Sequence, residues 1–400
     1  MKTSDRPKTG FTKIEHGATD IVLAAAFNHS GTRVALCSAD HKIRIFDLDT
    51  KSDWSLIDQW RGHDAEVQWV GPTLGQIFGT IGGDNKFKLW REDPSQAPKG
   101  GRRFKCIFSQ SPSNHVSYVS IDIKTVKTDV WIALMTRDGL LSLLEPSEME
   151  SMSTWKEIDA IYPFGQHSRG TEPRSRLSFH QSERPCYDAV IAGLDPKALS
   201  IAVSAVNIIK IFRALRSEDA NYQFDEMLEM KTNAPLINDV AWAPGCIRPF
   251  DLISAACDDG TIRIFEVTTP HDSKVPSTTS KSELLAGKDR MKPPASSTKN
   301  APSGIGAGLA GVNRAAARQS GDHVRIRHEW KEVANLSHNE GAPVWRVRWT
   351  HDGSNSIVGD CIMLTLSGNA LASTGDSGNV HLWKQNVRGE FIEFSETGPS

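Results

Sequence analysis

The sequence predicts an all-β protein in which a four-stranded unit is repeated six times. Three observations lead to this prediction. A short block that joins a polar turn to an alternating strand recurs six times, two further strand-like segments precede it, and a more polar strand follows it. The strand of each block ends at Phe46, Trp90, Leu144, Phe212, Phe265 and Trp383. Six sets of four strands are typical of a β-propeller.

The strands before and after each block follow the same rules along the chain. The segment 21–40, IVLAAAFNHSGTRVALCSAD, places small or branched residues at alternate positions on both sides of a polar turn. The segments WSLIDQWRGH and HEWKEVANLSH are examples of the polar fourth strand. Alternation with a period of two is the mark of a strand with one face buried, so each repeat is expected to form one blade.

Length and composition fit one large β domain over residues 1–400. Of the 400 residues, 38% are hydrophobic, so most of the chain can bury a core. The formal net charge of −2 favours neither nucleic acid nor an acidic membrane as a direct partner. Binding is therefore expected to depend on a local surface.

The cysteines and the apolar runs indicate in which kind of cellular compartment the protein is expected. The chain has six scattered cysteines and no C-x-x-C pair, which predicts reduced thiols rather than a disulfide framework: Cys37, Cys106, Cys186, Cys246, Cys257 and Cys361. The start, MKTSDRPKTG, has no apolar signal core, and no run reaches the ~18 apolar residues of a membrane span. We therefore expect a soluble protein with no transmembrane segment.

A long segment interrupts the fifth repeat. Residues 269–322 are rich in Ser, Thr, Pro, Gly, Ala and Lys and contain no aromatic residue. Such a composition cannot bury enough apolar area to offset the entropy lost on ordering, so it predicts a disordered insertion between the third and fourth strands of blade five. Its dispersed basic residues are most simply a solubilising charge.

The sequence contains no recognisable catalytic motif. There is no nucleophile elbow, Walker loop or H-E-x-x-H, and the glycine run GIGAGLAG lacks the strand that a dinucleotide site requires. The histidines are not spaced with cysteines or acids as metal ligands are. We expect no enzyme activity, no metal and no cofactor.

The N-terminal residues 10–17, GFTKIEHG, look like the outer strand of a blade whose other three strands are missing. They would close blade six if the last segment, EFIEFSE (390–396), were a frayed tail. If that segment is instead the fourth strand of blade six, the N-terminal strand is surplus. An unpaired strand edge must be covered, and three strands from another chain could complete a seventh blade. Strand counting alone leaves both alternatives open.

The repeats resemble those of the WD40 family. The family's motif joins a histidine before a blade, an aspartate in the turn before the third strand and a tryptophan at the end of that strand in a buried polar network. His63, Asp84 and Trp90 match all three positions in blade two, and Asp40, Asp259, Asp376 and Trp383 match single positions elsewhere. The resemblance implies that these residues support the scaffold.

Within that family, the segments HGATDIVLAAAFNHSGTRVALCSADHKIRIFD and GHDAEVQWV are similar to those of the Seh-type nucleoporins, in the Sec/Seh group of propellers. That resemblance implies an open six-bladed ring with an orphan N-terminal strand, completed in trans by a three-stranded blade from an α-solenoid nucleoporin. The partner-binding residues would be Phe11, Thr12, Lys13, Ile14, Glu15 and His16.

The same resemblance implies a function. The chain would be a non-catalytic scaffold subunit of the Y-shaped outer-ring coat of the nuclear pore complex at the nuclear envelope. There it would contact other Y-complex subunits and support transport of mRNA and protein. Two alternatives stand beside it: a subunit of the SEA/GATOR complex, which regulates TORC1 amino-acid signalling at the vacuolar or lysosomal surface, and a closed WD40 adaptor that binds a peptide.

Overall fold

A computed structural model describes most of the repeated region. The described ranges are 14–28, 30–50, 53–70, 76–113, 115–166, 174–216, 222–245, 248–270, 327–338, 341–349, 357–358, 361–362, 370–376, 380–386 and 388–397.

These residues form six antiparallel four-stranded sheets, which we call blades one to six in chain order. Blade one contains β1 (Val22–Phe27), β2 (Arg33–Ser38), β3 (Lys42–Leu48) and β4 (Trp54–Arg61). Blade two contains β5 (Val67–Val70), β6 (Ile77–Gly82), β7 (Phe87–Glu92) and β8 (Phe104–Gln110). Blade three contains β9 (Tyr118–Val126), β10 (Asp129–Thr136), β11 (Leu141–Pro146) and β12 (Trp155–Ile161).

The second half of the chain repeats the arrangement. Blade four contains β13 (Arg176–Phe179), α1 (Tyr187–Ile191), β14 (Ser200–Ala205), β15 (Ile208–Arg216) and β16 (Tyr222–Lys231). Blade five contains β17 (Ile237–Trp242), β18 (Asp251–Cys257), β19 (Thr261–Thr268) and β20 (Glu329–Ser337). Blade six contains β21 (Val344–Trp349), β24 (Ala370–Gly375), β25 (Val380–Gln385) and β26 (Phe391–Thr397), with a small hairpin of β22 (Ile357–Val358) and β23 (Cys361–Ile362) between its first two strands. The predicted all-β, six-bladed propeller is confirmed.

A register shift recurs in every blade between its third and fourth strands. In blade one the pairing Ile45↔Asp58 is followed by Phe46↔Leu56, so the fourth strand carries one extra residue there. The same shift precedes each of the other predicted end positions: Trp90, Leu144, Phe212, Phe265 and Trp383. A bulge increases the local twist of a strand pair. Each blade therefore twists more strongly at the point where its fourth strand carries the extra residue.

The pairing between the first and second strands also contains a register shift in several blades. The innermost strands of blades one, two, five and six each carry a register shift at their second residue, as between Val22 and Ala24. The second strands of the blades are the most deeply buried, and every residue of β6, β14 and β18 is buried. The outer strands are more exposed, as in β20, where seven of nine residues are exposed and one is buried.

The interruption in blade five lies between paired strands. Thr268 at the end of β19 pairs with Glu329 at the start of β20. The residues between them, 271–326, lie outside the described residues, as does most of the insertion predicted at 269–322. The two strands pair across that segment in the same register as in the other blades.

Candidate docking site between the last and first blades

The apolar core is divided into clusters that lie between neighbouring blades. Five clusters each combine side chains of two consecutive blades, from blades one and two through to blades five and six. Between blades six and one the described residues form two separate clusters, each belonging to one blade only. Among the described residues, the junction between the last and first blades is therefore the one at which two apolar faces do not merge.

The face of blade one at this junction is an apolar cluster of buried side chains. Its cluster consists of Phe27, Val34, Leu36 and Phe46, with Ala25, Trp54 and Leu56 partly buried at its edge. At the start of the first strand, Ile21 is 70% exposed and Leu23 is 37% exposed. Apolar side chains exposed at the end of an inner strand mark a surface suited to a partner.

The face of blade six is smaller. Ala372, Val380 and Leu382 form its cluster. Ile392 pairs with Lys384, two residues from Leu382 on the same strand, and so lies on the same face; its side chain is 50% exposed. Among the described strands, β1 contacts β23 of the small hairpin but does not pack on β21 as β17 does.

The fourth strand of blade six comes from the C-terminal part of the chain. β26 pairs with β25 over six residue pairs, from Val380↔Thr397 to Gln385↔Phe391. The last blade therefore does not depend on the N-terminal strand for closure, which decides between the two alternatives that strand counting left open.

The N-terminal segment is only partly described. Phe11, Thr12 and Lys13 lie outside the described residues, and Ile14, Glu15 and His16 form no strand. The predicted strand is thus not formed over its described half. The physical reason is that no neighbouring strand pairs with these residues, and an isolated strand is not stable in water. Ile14 instead packs against the cluster of blade one.

A buried ion pair attaches this segment to blade one. Arg44 Nη2 lies 2.6 Å from Asp40 Oδ2 and donates a second hydrogen bond to the carbonyl of Gly17 at 3.2 Å. The backbone N–H of Thr19 donates to the same aspartate at 3.2 Å. Burial raises the pKa of Asp40, but the hydrogen bonds from Arg44 and Ser38 outweigh it and hold that pKa below its usual range.

In blade two, the three residues that match the WD40 motif are joined by a chain of hydrogen bonds. His63 Nδ1 lies 2.8 Å from Asp84 Oδ1, and Nε2 of the same ring lies 2.8 Å from Thr80 Oγ1. Trp90 Nε1 donates to that hydroxyl at 2.9 Å. Burial lowers the pKa of His63, so the ring is neutral and able to donate to one partner and accept from the other. The four side chains thus link three neighbouring segments of the blade.

The other matched aspartates have different partners. Asp259 accepts from Thr261 Oγ1 at 2.6 Å and pairs with Arg263 at 3.1 Å, which repeats the Asp40–Arg44 arrangement. Asp376 accepts from the indole of Trp345. Trp383 Nε1 donates to Ser373 Oγ at 3.0 Å.

Sequence reasoning missed three kinds of residue in these networks. Thr80 was missed because a lone threonine in a strand carries no signal. The arginines at Arg44 and Arg263 could have been found, since both follow the turn acid by four residues in DHKIR and DGTIR. His338, whose Nδ1 lies 2.9 Å from Ser373 Oγ, precedes blade six as His63 precedes blade two.

The described residues contain no group of three or more His, Cys, Asp and Glu side chains that could hold a metal ion. None of them forms a helix of the length and hydropathy that a membrane crossing demands. The thiols of Cys37, Cys106, Cys186 and Cys257 are free. Cys246 and the side chain of Cys361 lie outside the described residues.

Comparison with known proteins agrees with the fold. The family model described as "WD domain, G-beta repeat" matches residues 9–47. The six sheets form a six-bladed β-propeller, and residues 9–47 are similar to a WD40 repeat.

The similarity to particular proteins covers nearly the whole chain. Nucleoporin SEH1 of Saccharomyces cerevisiae is 28% identical, over 94% of this chain and 96% of its own length. Nucleoporin SEH1 of Chaetomium thermophilum is 26% identical, over 98% and 95%. The protein transport protein sec13 of Emericella nidulans is 23% identical, over 94% of each chain. These matches confirm the resemblance to the Seh-type WD40 nucleoporins.

Proposed function

We propose that the chain is a non-catalytic scaffold subunit of the Y-shaped coat of the nuclear pore complex, and that an α-solenoid nucleoporin inserts a three-stranded blade between blades six and one. The observation that carries this proposal is the pair of apolar faces that remain separate at that junction. At every other junction such faces share one cluster. The members of both clusters are already buried, so an inserted blade would cover the apolar side chains that stay exposed on the same two blades, Leu23 and Ile392.

The N-terminal segment takes part in the same interaction. Residues 10–17 add to the inserted blade as its fourth strand, by backbone hydrogen bonding along an open edge. The strand forms only when the partner supplies that edge, which accounts for the absence of strand structure at residues 14–17. The Arg44 contact to Gly17 holds the end of the segment beside the junction beforehand, and so lowers the entropy lost on binding.

The test uses substitutions at exposed positions, which leave the core intact. Leu23→Asp and Ile392→Asp place a charge on the two faces of the junction, whereas Ile191→Asp changes a side chain of comparable exposure, 41%, on the helix of blade four. The full chain and each variant would be co-expressed with an α-solenoid nucleoporin and co-purified. We expect both junction variants to lose the partner, because a charge buried without a counter-charge costs several kcal/mol.

The control variant should keep the partner, and all three variants should keep the melting temperature of the unchanged chain. Equal recovery of the partner by the junction variants and the control would exclude docking at this junction. Deletion of residues 1–17 is the complementary test: it should weaken partner binding and leave six folded blades. Mass spectrometry of complexes from cells would separate a pore coat from a SEA/GATOR complex by the solenoids recovered.

A further inference from the structure

Trp69 of blade two lies in the central channel, where the innermost strands of the blades face one another. All six blades line a cavity of 160 Å³ in this channel, and four of them line a neighbouring cavity of 300 Å³. Trp69 on β5 and Arg346 on β21 line both cavities, so their side chains lie where the two cavities meet. A side chain of blade two therefore reaches a side chain of blade six through the interior of the ring.

Three guanidinium groups lie against the indole of Trp69. The guanidinium carbon of Arg346 lies 3.8 Å from the centroid of the indole ring, that of Arg176 lies 5.7 Å from it and that of Arg348 lies 5.8 Å from it. All three distances are within the ~6 Å over which a cation is attracted to an aromatic face. Because Arg346 and Arg348 belong to blade six and Arg176 to blade four, Trp69 links blade two directly with both.

The link between blades two and six crosses the open side of the ring. Blade six is otherwise joined to blade two through blades five, four and three, which share apolar clusters in pairs. Among the described residues, blades six and one share no such cluster. A ring that is packed on one side only is free to widen or close at its gap, and the contact between Trp69 and Arg346 restrains that motion.

This contact opposes motion in both directions. At 3.8 Å the guanidinium group lies at van der Waals separation from the ring, so the two groups resist closer approach. Moving them apart loses the cation–π attraction and the stacking of the guanidinium plane on the indole. The pair therefore favours one separation of blades two and six, and with it one width of the gap.

The arginines are also held on their own side of the channel. Arg348 donates to the carboxylate of Asp239 in blade five, and Arg176 donates to the carbonyl of Ser175 at 3.0 Å. Hydrogen bonds use the edges of a guanidinium group and leave its faces available to an aromatic ring. The charge of Asp239 also acts on Arg176, and so offsets part of the repulsion between the arginines around Trp69.

We propose that Trp69 is a positioning residue, which holds the gap between blades six and one at the width that accepts a partner's blade while the gap is empty. This inference rests on the proposed insertion of a blade at that junction. Leu23 and Ile392 are exposed on the two blades that border the gap, and burial of such side chains would favour its closure. The apparent affinity for a partner falls with the fraction of chains whose gap is open to it. Trp69 raises that fraction in the free chain.

The first test measures the free full-length chain by hydrogen exchange and mass spectrometry. Trp69→Leu removes the aromatic face, whereas Trp69→Phe keeps one. We expect the leucine variant to exchange about threefold faster or more in β1 and β21, the inner strands that border the gap, and the phenylalanine variant to exchange nearly as slowly as the unchanged chain. Trp330→Leu is the matched control, at a tryptophan of the outer strand β20 that is 37% exposed, and should change neither strand.

A second variant separates this restraint from the packing of blade two. Trp69 also packs, partly buried, against the cluster between blades two and three, so its loss could loosen those blades instead. Arg346→Met removes the other half of the contact and leaves that cluster intact. It should accelerate exchange in β1 and β21 as Trp69→Leu does, and the double variant should add little, because both changes break one contact. Acceleration confined to β5 and β9, with no effect of Arg346→Met, would overturn the proposal.

The second test measures the kinetics of binding to an immobilised α-solenoid nucleoporin by biolayer interferometry. Trp69→Leu should lower the association rate constant about threefold or more, because fewer free chains have an open gap. The dissociation rate constant should stay within about twofold, since an inserted blade itself fixes the gap, whereas loss of a contact with the partner acts mainly on dissociation. Trp69→Phe should restore association.

Two kinetic results would contradict a positioning role. Association of the Trp69→Leu variant as fast as that of the Trp330→Leu control, or faster, would show that the contact does not keep the gap open. A rise in the dissociation rate alone would assign Trp69 to the interface itself. If the unchanged chain binds no solenoid, the proposed insertion fails, whereas the exchange measurements still decide whether Trp69 and Arg346 restrain the gap.

Discussion

His63 and Asp84, twenty-one residues apart, are joined by a hydrogen bond of 2.8 Å between a buried imidazole and a turn carboxylate. The imidazole of His63 thus links Asp84, in the turn before the third strand of blade two, with Thr80 on the second strand. Trp90 on the third strand completes the link. Three consecutive elements of one blade are thus held by four side chains without any covalent bond.

Thr80→Val should destabilise blade two. Valine keeps the shape of threonine but removes the hydroxyl, so Nε2 of His63 and Nε1 of Trp90 both lose their partner. Leaving two buried groups unsatisfied is expected to cost about 2–5 kcal/mol in the free energy of unfolding, measured with urea. Thr80→Ser retains the hydroxyl and is the matched control. A valine variant as stable as the serine variant would show that the hydroxyl contributes little.

Gly82→Ala should disturb the same network from the backbone side. A Cβ atom built on Gly82 would lie 2.5 Å from His63 Nδ1, closer than real atoms approach, so the ring must move away from Asp84. We expect a loss of about 1–3 kcal/mol, as for other overpacked sites. Gly100→Ala is the control, because its Cβ would come no closer than 3.3 Å to Ala97 O. Equal unfolding midpoints for the two variants would contradict the expected clash.

The Asp40–Arg44 pair should control the order of the N-terminal segment. Arg44→Met removes the ion pair and the hydrogen bond to Gly17, and breaking a buried pair costs about 3–5 kcal/mol. Arg263→Met breaks the corresponding pair with Asp259 in blade five. Hydrogen exchange at the amide of Thr19, which donates to Asp40, should accelerate in the first variant only. Acceleration in both would indicate general loosening rather than a local attachment.

Stability should fall as the pH drops from about 6.5 to 4. Burial, together with the positive charge of Arg213, lowers the pKa of His328 to about 4. Burial also lowers the pKa of His338 to about 4, with a smaller contribution from His381. In this range the unfolded chain binds protons that the folded chain does not, so folding loses about 1.4 kcal/mol per pH unit for each such histidine. The loss is absent above pH 7, where both forms are neutral.

Urea unfolding at pH 7.5 and pH 5 would measure this dependence. His338→Gln removes one titrating group and should reduce the difference between the two pH values. His115→Asn replaces an exposed histidine and should leave that difference unchanged. A His338 variant with the same pH dependence as the unchanged chain would exclude this residue as a source of the acid sensitivity.

Much of the fold follows from local sequence. The six positions predicted as strand ends, from Phe46 to Trp383, lie at the six register shifts, because alternation and turn chemistry act over a few residues in every repeat. They are not the ends of the strands, which continue two to four residues further, as β3 does to Leu48, because pairing with the fourth strand extends past the bulge. The blade-two network was predictable for the same reason, since His63, Asp84 and Trp90 lie at the family's spacing. Thr80 was not, because its role depends on which strand lies beside it.

The candidate sites depend more on tertiary structure. One cavity is lined by residues from Gln68 to Arg346, and the sequence offers no sign that their side chains converge. In the N-terminal segment the sequence pattern predicts more than the structure contains. Residues 10–17 have the alternation of a strand, but the described residues 14–17 form no strand. A strand needs a partner as well as a pattern.

The sequence by itself determined the number of blades, the place of the insertion and the resemblance to Seh-type propellers, because these depend on periodicity and local motifs. Only the tertiary structure decided that blade six takes its outer strand from residues 391–397, and that the faces of blades one and six remain separate. It also brought side chains of four blades together at one cavity. The physical reason is that strand pairing and side-chain convergence are set by contacts between residues far apart in the chain, which a local pattern does not specify.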